Sequence, residues 1–207
     1  VQKDHRKGAD VFISLEGIDG SGKSTQAKLL AEALGPETLL IREPGGTEAA
    51  EKIRGLLADP TLELDPFAEL LLFLAARADL TARVIRPAME AGIDVVADRF
   101  ADSSVAYQGA GRGLGASEVI TLTDNASDGL WPDVTVLLRV DPETGLGRAE
   151  GNDRFESEGL ELQRAVAEAY EEIAKIASDR VVVVDGEGSV EEVHERVMEA
   201  VRVGTAD

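Results

Sequence analysis

VFISLEGIDGSGKSTQAKLL, residues 11–30, puts an apolar run, a glycine-rich turn and a helix-forming segment in immediate succession. That order reads as strand, loop and helix. From Gly17 to Ser24 the sequence fits G-x-x-x-x-G-K-[ST] at every fixed position. A loop built from Gly17, Ile18, Asp19, Gly20, Ser21, Gly22, Lys23, Ser24 and Thr25 curls its backbone N–H groups around a phosphate, with the positive end of the next helix behind them. Lys23 is then placed to bridge the β- and γ-phosphates of a nucleotide, and the Ser24 hydroxyl to sit on Mg²⁺. A chance glycine loop would lack the strand before it and the helix after it.

Outward from this element the chain alternates strands and helices. After Val11–Leu15, strands are predicted at Thr38–Ile41, Ile93–Ala97, Val134–Val140 and Arg180–Val184. The first helix stops at Gly35-Pro36, and Thr47 caps a second that runs through Leu57. Asp65-Pro66 opens the longest helical stretch, FAELLLFLAARADLTARVI, whose near-continuous apolar residues predict burial on most sides. Pro87 should restart or kink it, and Gly92 ends it. Asp102–Gln108 reads as helical, Gly109–Gly115 as a glycine-rich corner, and Ser117 as the cap of a helix to about Ala126. Further helices start at Asp141-Pro142, span about Leu160–Ser178, and follow a Ser189 cap to about Val203. Five strands alternating with helices predict an α/β fold of the P-loop NTPase type, a five-stranded parallel sheet covered by helices on both faces. Residues 1–10 form a polar leader, and 11–207 a single domain.

The balance of 40 acidic against 21 basic residues leaves a formal charge of −19, which repels nucleic acid and anionic membrane. A polyanionic small substrate must therefore meet a local concentration of Arg and Lys. No apolar stretch approaches membrane-span length and the first ten residues are charged, so a cytoplasmic protein is expected. Zero cysteines exclude disulfides and thiolate chemistry. The only histidines, His5 and His194, read as surface residues and argue against a histidine metal site.

Several side chains stand where chemistry would need them. Asp98 ends a buried strand at the carboxyl edge of the sheet, in position to accept a hydrogen bond from a Mg²⁺-bound water. Arg99 follows at once and can clamp an acceptor phosphoryl group. Arg148 and Arg154 fall in a polar segment, about 147–157, that reads as a lid able to bring arginines to a transferring phosphate and keep water out. Phe73 and Arg77 are four apart on the long helix, hence on one face, and can offer an aromatic surface and a donor to a planar base.

Together these residues resemble the thymidylate kinases, nucleoside monophosphate kinases with a lid. LEGIDGSGKST, REPGGT at 42–47, FLAAR at 73–77, DRFADSSVAYQGAGRG at 98–113 and NDRFE at 152–156 occur in that family's order. The resemblance implies phosphoryl transfer from ATP to dTMP, with Mg²⁺, in a homodimer that binds neither nucleic acid nor membrane. It implies that Asp19 meets the deoxyribose 3′-OH and that Glu43 and Pro44 form a corner beside the nucleotide. Phe73 then stacks on thymine, Arg77 donates to a thymine carbonyl, and Arg99 holds the dTMP phosphate. Ser104 and Gln108 contact the base, and Tyr107 crowds the 2′ position. Some members carry a basic residue inside the phosphate loop, others in the lid; with Gly20 in the loop, the chain is similar to the bacterial lid-arginine type, Arg154 ranking ahead of Arg148. Two other readings stay open at this stage: a kinase for another nucleoside monophosphate, and a nucleotide-dependent switch with no acceptor. Phe73, Arg77 and Tyr107 weigh against the first and the acceptor-side residues against the second.

Overall fold

The computed structural model describes residues 10–148 and 159–205. Strand β1, Phe12–Glu16, is buried at all five positions and lies at the centre of a parallel sheet. The order is β2 (Leu39–Arg42), β3 (Val95–Asp98), β1, β4 (Val134–Arg139), β5 (Val181–Asp185); four strands start one or two residues later than the sequence suggested, and β4 ends one residue earlier. Leu15 and Arg42 both lie opposite Asp98, so the carboxyl ends of β1, β2 and β3 meet at one edge. The chain reverses its direction of growth beside β1, which makes that edge the place for a ligand.

Alternation along β1 sorts the core. Ile13 and Leu15 face helices α1 (Lys23–Leu34) and α9 (Val190–Gly204), where Leu30, Val197 and Val201 complete one apolar layer. Phe12 faces the other way, against Phe100, Leu80 and Ile85. On that second face lie α3 (Pro66–Leu80), α4 (Arg86–Glu90) and α8 (Gly159–Ile176), the last packing Val166 and Tyr170 on Ile18 and Leu137. Around them run α2 (Glu48–Ala58), α5 (Ala101–Ser104), α6 (Ala116–Ala126) and α7 (Pro142–Arg148). Thr47 caps α2 by accepting from the Ala50 N–H at 3.1 Å. No helix among the described residues is long and apolar enough to cross a membrane.

The structure refines several local expectations. The long helix is not buried on most sides: Phe67 is 42% exposed and Leu71 48%, since α3 packs on α2, α6 and the neighbouring turns and leaves these side chains uncovered. Pro87 lies in the first turn of α4, where the α-helix restarts as expected, but the change of geometry begins earlier. Residues Thr81–Ile85 form a π turn in which the Arg86 N–H bonds the Thr81 carbonyl, and this wider turn carries the chain into a proline that has no N–H to give. The corner expected at Gly109–Gly115 shortens to residues 112–115: a second π turn spans Val105–Gly111, and its glycines serve close packing. A Cβ on Gly111 would come within 2.7 Å of Leu162, and one on Gly109 within 3.3 Å of Ala116. Helix α6 starts from Gly115 at φ 90°, so Ser117 lies inside its first turn and caps nothing. His194 is half-buried, its Nδ1 3.2 Å from Gln26 Oε1.

Ser189 and Glu192 form a full capping box at the start of α9, satisfying two N–H groups that the helix itself leaves unbonded. Ser189→Ala should lower the unfolding free energy by about 1 kcal/mol, measured by urea denaturation.

Candidate active site

The phosphate loop joins β1 to α1 and fixes the first half of the site. At Gly20 the backbone adopts φ 72°, and a Cβ there would fall 2.0 Å from the carbonyl oxygen of Gly145 on α7. Only glycine fits. Lys23 is buried, its Nζ donating to the Ile18 carbonyl at 2.6 Å and to Ser21 Oγ at 3.3 Å. Burial, with the Arg99 charge adding to it, pushes the Lys23 ammonium down to about 7. Ser24 Oγ donates to Asp98 Oδ2 at 2.5 Å. That adjacent hydroxyl and carboxylate are hard oxygen ligands of the kind Mg²⁺ takes, one carboxylate being enough when phosphates supply the rest. Of the loop residues, Asp19, Gly20, Gly22, Lys23, Ser24 and Thr25 line the adjoining cavity, and Gly17, Ile18 and Ser21 do not.

Arg99 is the second node. It sits just beyond β3 at φ 71°, a left-handed conformation that costs a non-glycine residue about 1–3 kcal/mol and must be held by its surroundings. Its Nη1 donates to the Gly17 carbonyl at 3.0 Å and to Ser103 Oγ at 3.1 Å. Its Nη2 donates to Asp19 Oδ1 and, at 3.1 Å, to the Tyr107 hydroxyl, with the guanidinium 4.9 Å above the Tyr107 ring. Gln163 on α8 grips Asp19 from the other side, donating to Oδ2 at 2.7 Å. Burial opposes ionisation of Asp19, yet Arg99, Lys23 and Gln163 outweigh it and hold the carboxyl below its usual range. The result is a fixed cation beside the phosphate loop.

Arg77 is the third, and its surroundings refine the sequence reading. Although 1% exposed, it does not wait for a base carbonyl as its main partner: Nε and Nη2 both donate to Glu43 Oε2, at 2.9 and 2.5 Å. Nη2 also reaches the Phe100 carbonyl at 3.0 Å and Nη1 reaches Ser104 Oγ at 2.9 Å, leaving one N–H of Nη1. Glu43 Oε1 is buried with no hydrogen-bond partner among the described residues, and burial raises this carboxyl despite Arg77. Glu43 precedes a cis peptide to Pro44. Gln108 Nε2 donates to Glu69 Oε1 at 2.9 Å.

These nodes share a cavity of about 730 Å³, ordinary for a small-molecule site. Pro44, Phe73, Ser104, Tyr107 and Gln108 line it, as the sequence proposed. So, among the described residues, do six cations, Lys23, Arg42, Arg54, Arg77, Arg99 and Arg148, against three acids, Asp19, Glu43 and Asp98. In a chain of charge −19 this is the local positive concentration that a polyanion needs. Arg148 ends α7, and its Nη2 is 2.6 Å from Glu187. Arg154 and residues 149–157 of the expected lid lie outside the described residues, as does the leader up to residue 9.

Three contributors escaped the sequence reading. Arg54 lines the cavity and donates to the Pro44 carbonyl at 3.1 Å; an arginine among the acids of α2 was its only signal. Gln163 gave none. Glu16 is fully buried and accepts from the Phe100 N–H at 2.7 Å, Ser103 at 2.6 Å and Tyr170 at 2.8 Å. Burial, then the nearby Asp102 charge, pushes it up to about 7. A carboxylate closing an apolar strand was a visible sign.

The thymidylate kinase family model matches residues 15–197. The chain is 44% identical over 200 residues to the thymidylate kinase of Pelobacter propionicus, covering 90% of this chain and 91% of the relative. It is 44% identical over 201 residues to that of Halothermothrix orenii, covering 93% and 96%. The crystal structure of thymidylate kinase from Ehrlichia chaffeensis superposes with a TM-score of 0.77 at 35% identity, over 93% of this chain and 99% of that one. With the phosphate loop, the Ser24–Asp98 pair and the Arg99 node in one cavity and the match running from end to end, the chain belongs to the thymidylate kinase family.

Proposed function

We propose that this chain transfers the γ-phosphoryl group of ATP to the phosphate of dTMP, giving ADP and dTDP, a step towards dTTP. The observation that carries the reading is the single cavity in which a phosphate loop faces a fixed arginine and a base-sized wall. Residues 11–207 act as one kinase domain. ATP phosphates lie in the loop 17–25 under Lys23. The dTMP phosphate meets Arg99, its sugar lies by Asp19 and Tyr107, and its base lies between Phe73, Arg77, Ser104, Gln108 and the Glu43-Pro44 corner. Ser24, and Asp98 through water, would hold Mg²⁺, which when bound neutralises charge on the ATP phosphates.

A phosphate monoester oxygen is already ionised near neutral pH, so the acceptor needs no strong base. Catalysis then rests on alignment and on screening two polyanions from each other. Asp19 keeps the Arg99 guanidinium from swinging outward, and Tyr107 supports it from below. Arg148, and Arg154 ahead of it, are the lid-side candidates for charge on the transferring group. The surplus of negative charge supports a cytoplasmic enzyme that avoids nucleic acid and anionic membrane.

We also infer a homodimer. Helix α3 packs on both α2 and α6, and these three helices expose Leu56, Phe67, Leu71 and Ile120, each more than 40% accessible. A second copy would cover that face. Leu71→Asp should turn a dimer into a monomer in sedimentation velocity, and a wild-type monomer at micromolar concentration would refute the arrangement.

A coupled ADP-release assay with dTMP, dUMP, dCMP, dGMP and AMP tests the reaction. Release must prefer dTMP strongly, and Lys23→Ala must remove it by orders of magnitude. Arg99→Ala should cost about 10²–10³ in kcat/KM for dTMP. Release indifferent to acceptor would refute the assignment.

The depressed Lys23 ammonium gives a pH signature. Among protein groups alone it loses its proton as pH rises through about 7, whereas the bound triphosphate favours the charged form and raises the affinity for the proton. ATP binding should therefore take up close to one proton at pH 8 and little at pH 6, read by calorimetry in buffers of different ionisation enthalpy. Lys23→Met should abolish the uptake.

A further inference from the structure

The buried carboxylate of Glu69 has no part in the scheme above, although it touches the wall assigned to the base. It lies on α3, 1% exposed. Its Oε1 accepts from Gln108 Nε2 at 2.9 Å and from Arg112 Nε at 3.1 Å, and its Oε2 from Arg112 Nη2 at 3.1 Å. An ionised carboxylate can only accept, so of the two ends of the Gln108 amide only the NH₂ can turn towards it. Arg112 supplies the compensating charge that a buried carboxylate requires. The other end, Oε1, carries no protein donor among the described residues and belongs to a side chain that lines the cavity.

The amide therefore presents an acceptor. In the same cavity Arg77 presents a donor, the N–H of Nη1 not taken by Ser104. A pyrimidine imide edge has the matching polarity, with a carbonyl O4 that accepts and an N3–H that donates. Cytosine has the reverse, with an amino group that donates at C4 and a bare N3 that accepts. An amide free to turn by 180° could serve either base; one pinned by a carboxylate serves the first and leaves polar groups unpaired against the second.

We propose that Glu69 is a positioning residue that, backed by Arg112, fixes the polarity of the Gln108 amide and so makes the pocket select a pyrimidine bearing N3–H over one whose N3 is an acceptor. This rests on the reading that the base lies against Gln108.

The test is Glu69→Gln, which keeps the volume but can both donate and accept. The ratio of kcat/KM for dTMP to that for dCMP is measured in wild type, Glu69→Gln, Glu69→Asp and Gln108→Ala, with competitive inhibition by dCMP as a second reading of binding. The ratio should fall on the order of tenfold or more in Glu69→Gln, through a higher KM for dTMP and tighter dCMP, while kcat at saturating dTMP changes little. Glu69→Asp, still a carboxylate, should keep the preference. A Glu69→Gln ratio within twofold of wild type, with Gln108→Ala impaired, overturns the role of Glu69 alone. Gln108→Ala behaving as wild type towards dTMP would instead refute the placement of the base. If Glu69→Gln does not fold, Glu69→Asp against Glu69→Asn carries the same comparison at one shorter length, and equal preference in the two overturns the proposal.

Discussion

One carboxylate holds three parts of the site together. Glu16 closes β1 inside the core and gathers the backbone N–H of Phe100, the hydroxyl of Ser103 and the hydroxyl of Tyr170. These donors come from the turn after β3, from α5 and from α8, so the central strand is tied to the residues that follow Arg99 and to the helix behind them. Arg99 stays in a left-handed conformation only because its neighbours on both sides are pinned. With burial raising Glu16 to about 7, the tie is held by hydrogen bonds that satisfy the group in place of water. The phosphate loop and the acceptor side thus share one buried anchor.

Electrostatics adds a second layer of organisation. The surface is strongly anionic, yet the cavity gathers six cations, several of them pinned by partners that leave donors for a substrate. Arg77 illustrates the arrangement: Glu43, Ser104 and the Phe100 carbonyl take four of its five N–H groups. Desolvation has already been compensated within the protein before any base arrives. A rigid, partly satisfied guanidinium reads geometry better than a mobile one.

The sequence announced what is local and hid what is distant. The phosphate loop, the caps at Thr47 and Ser189, and the strand-end pair Asp98-Arg99 were legible because each depends on residues a few positions apart. Glu16 with Tyr170, Asp19 with Gln163 and Glu69 with Gln108 join residues 154, 144 and 39 positions apart, and no spacing rule reveals such pairs. The π turns at Thr81 and Val105 arise from packing around Pro87 and from the close approach of α8, which propensity does not encode. The exposed side of α3 looked like core because hydrophobicity alone does not separate a buried face from an exposed one.

The contact between Gly20 and Gly145 limits how this chain can diverge. A side chain at position 20 would strike the α7 backbone at 2.0 Å, and one at position 145 would strike the Asp19 carbonyl at 2.6 Å. A side chain at position 20 therefore cannot be accommodated while α7 keeps its place. Helix α7 would have to withdraw first, and with it Arg148, the described cation at its end. Any change at position 20 is thus also a change in the seat of α7 and in the position of the cation that ends it.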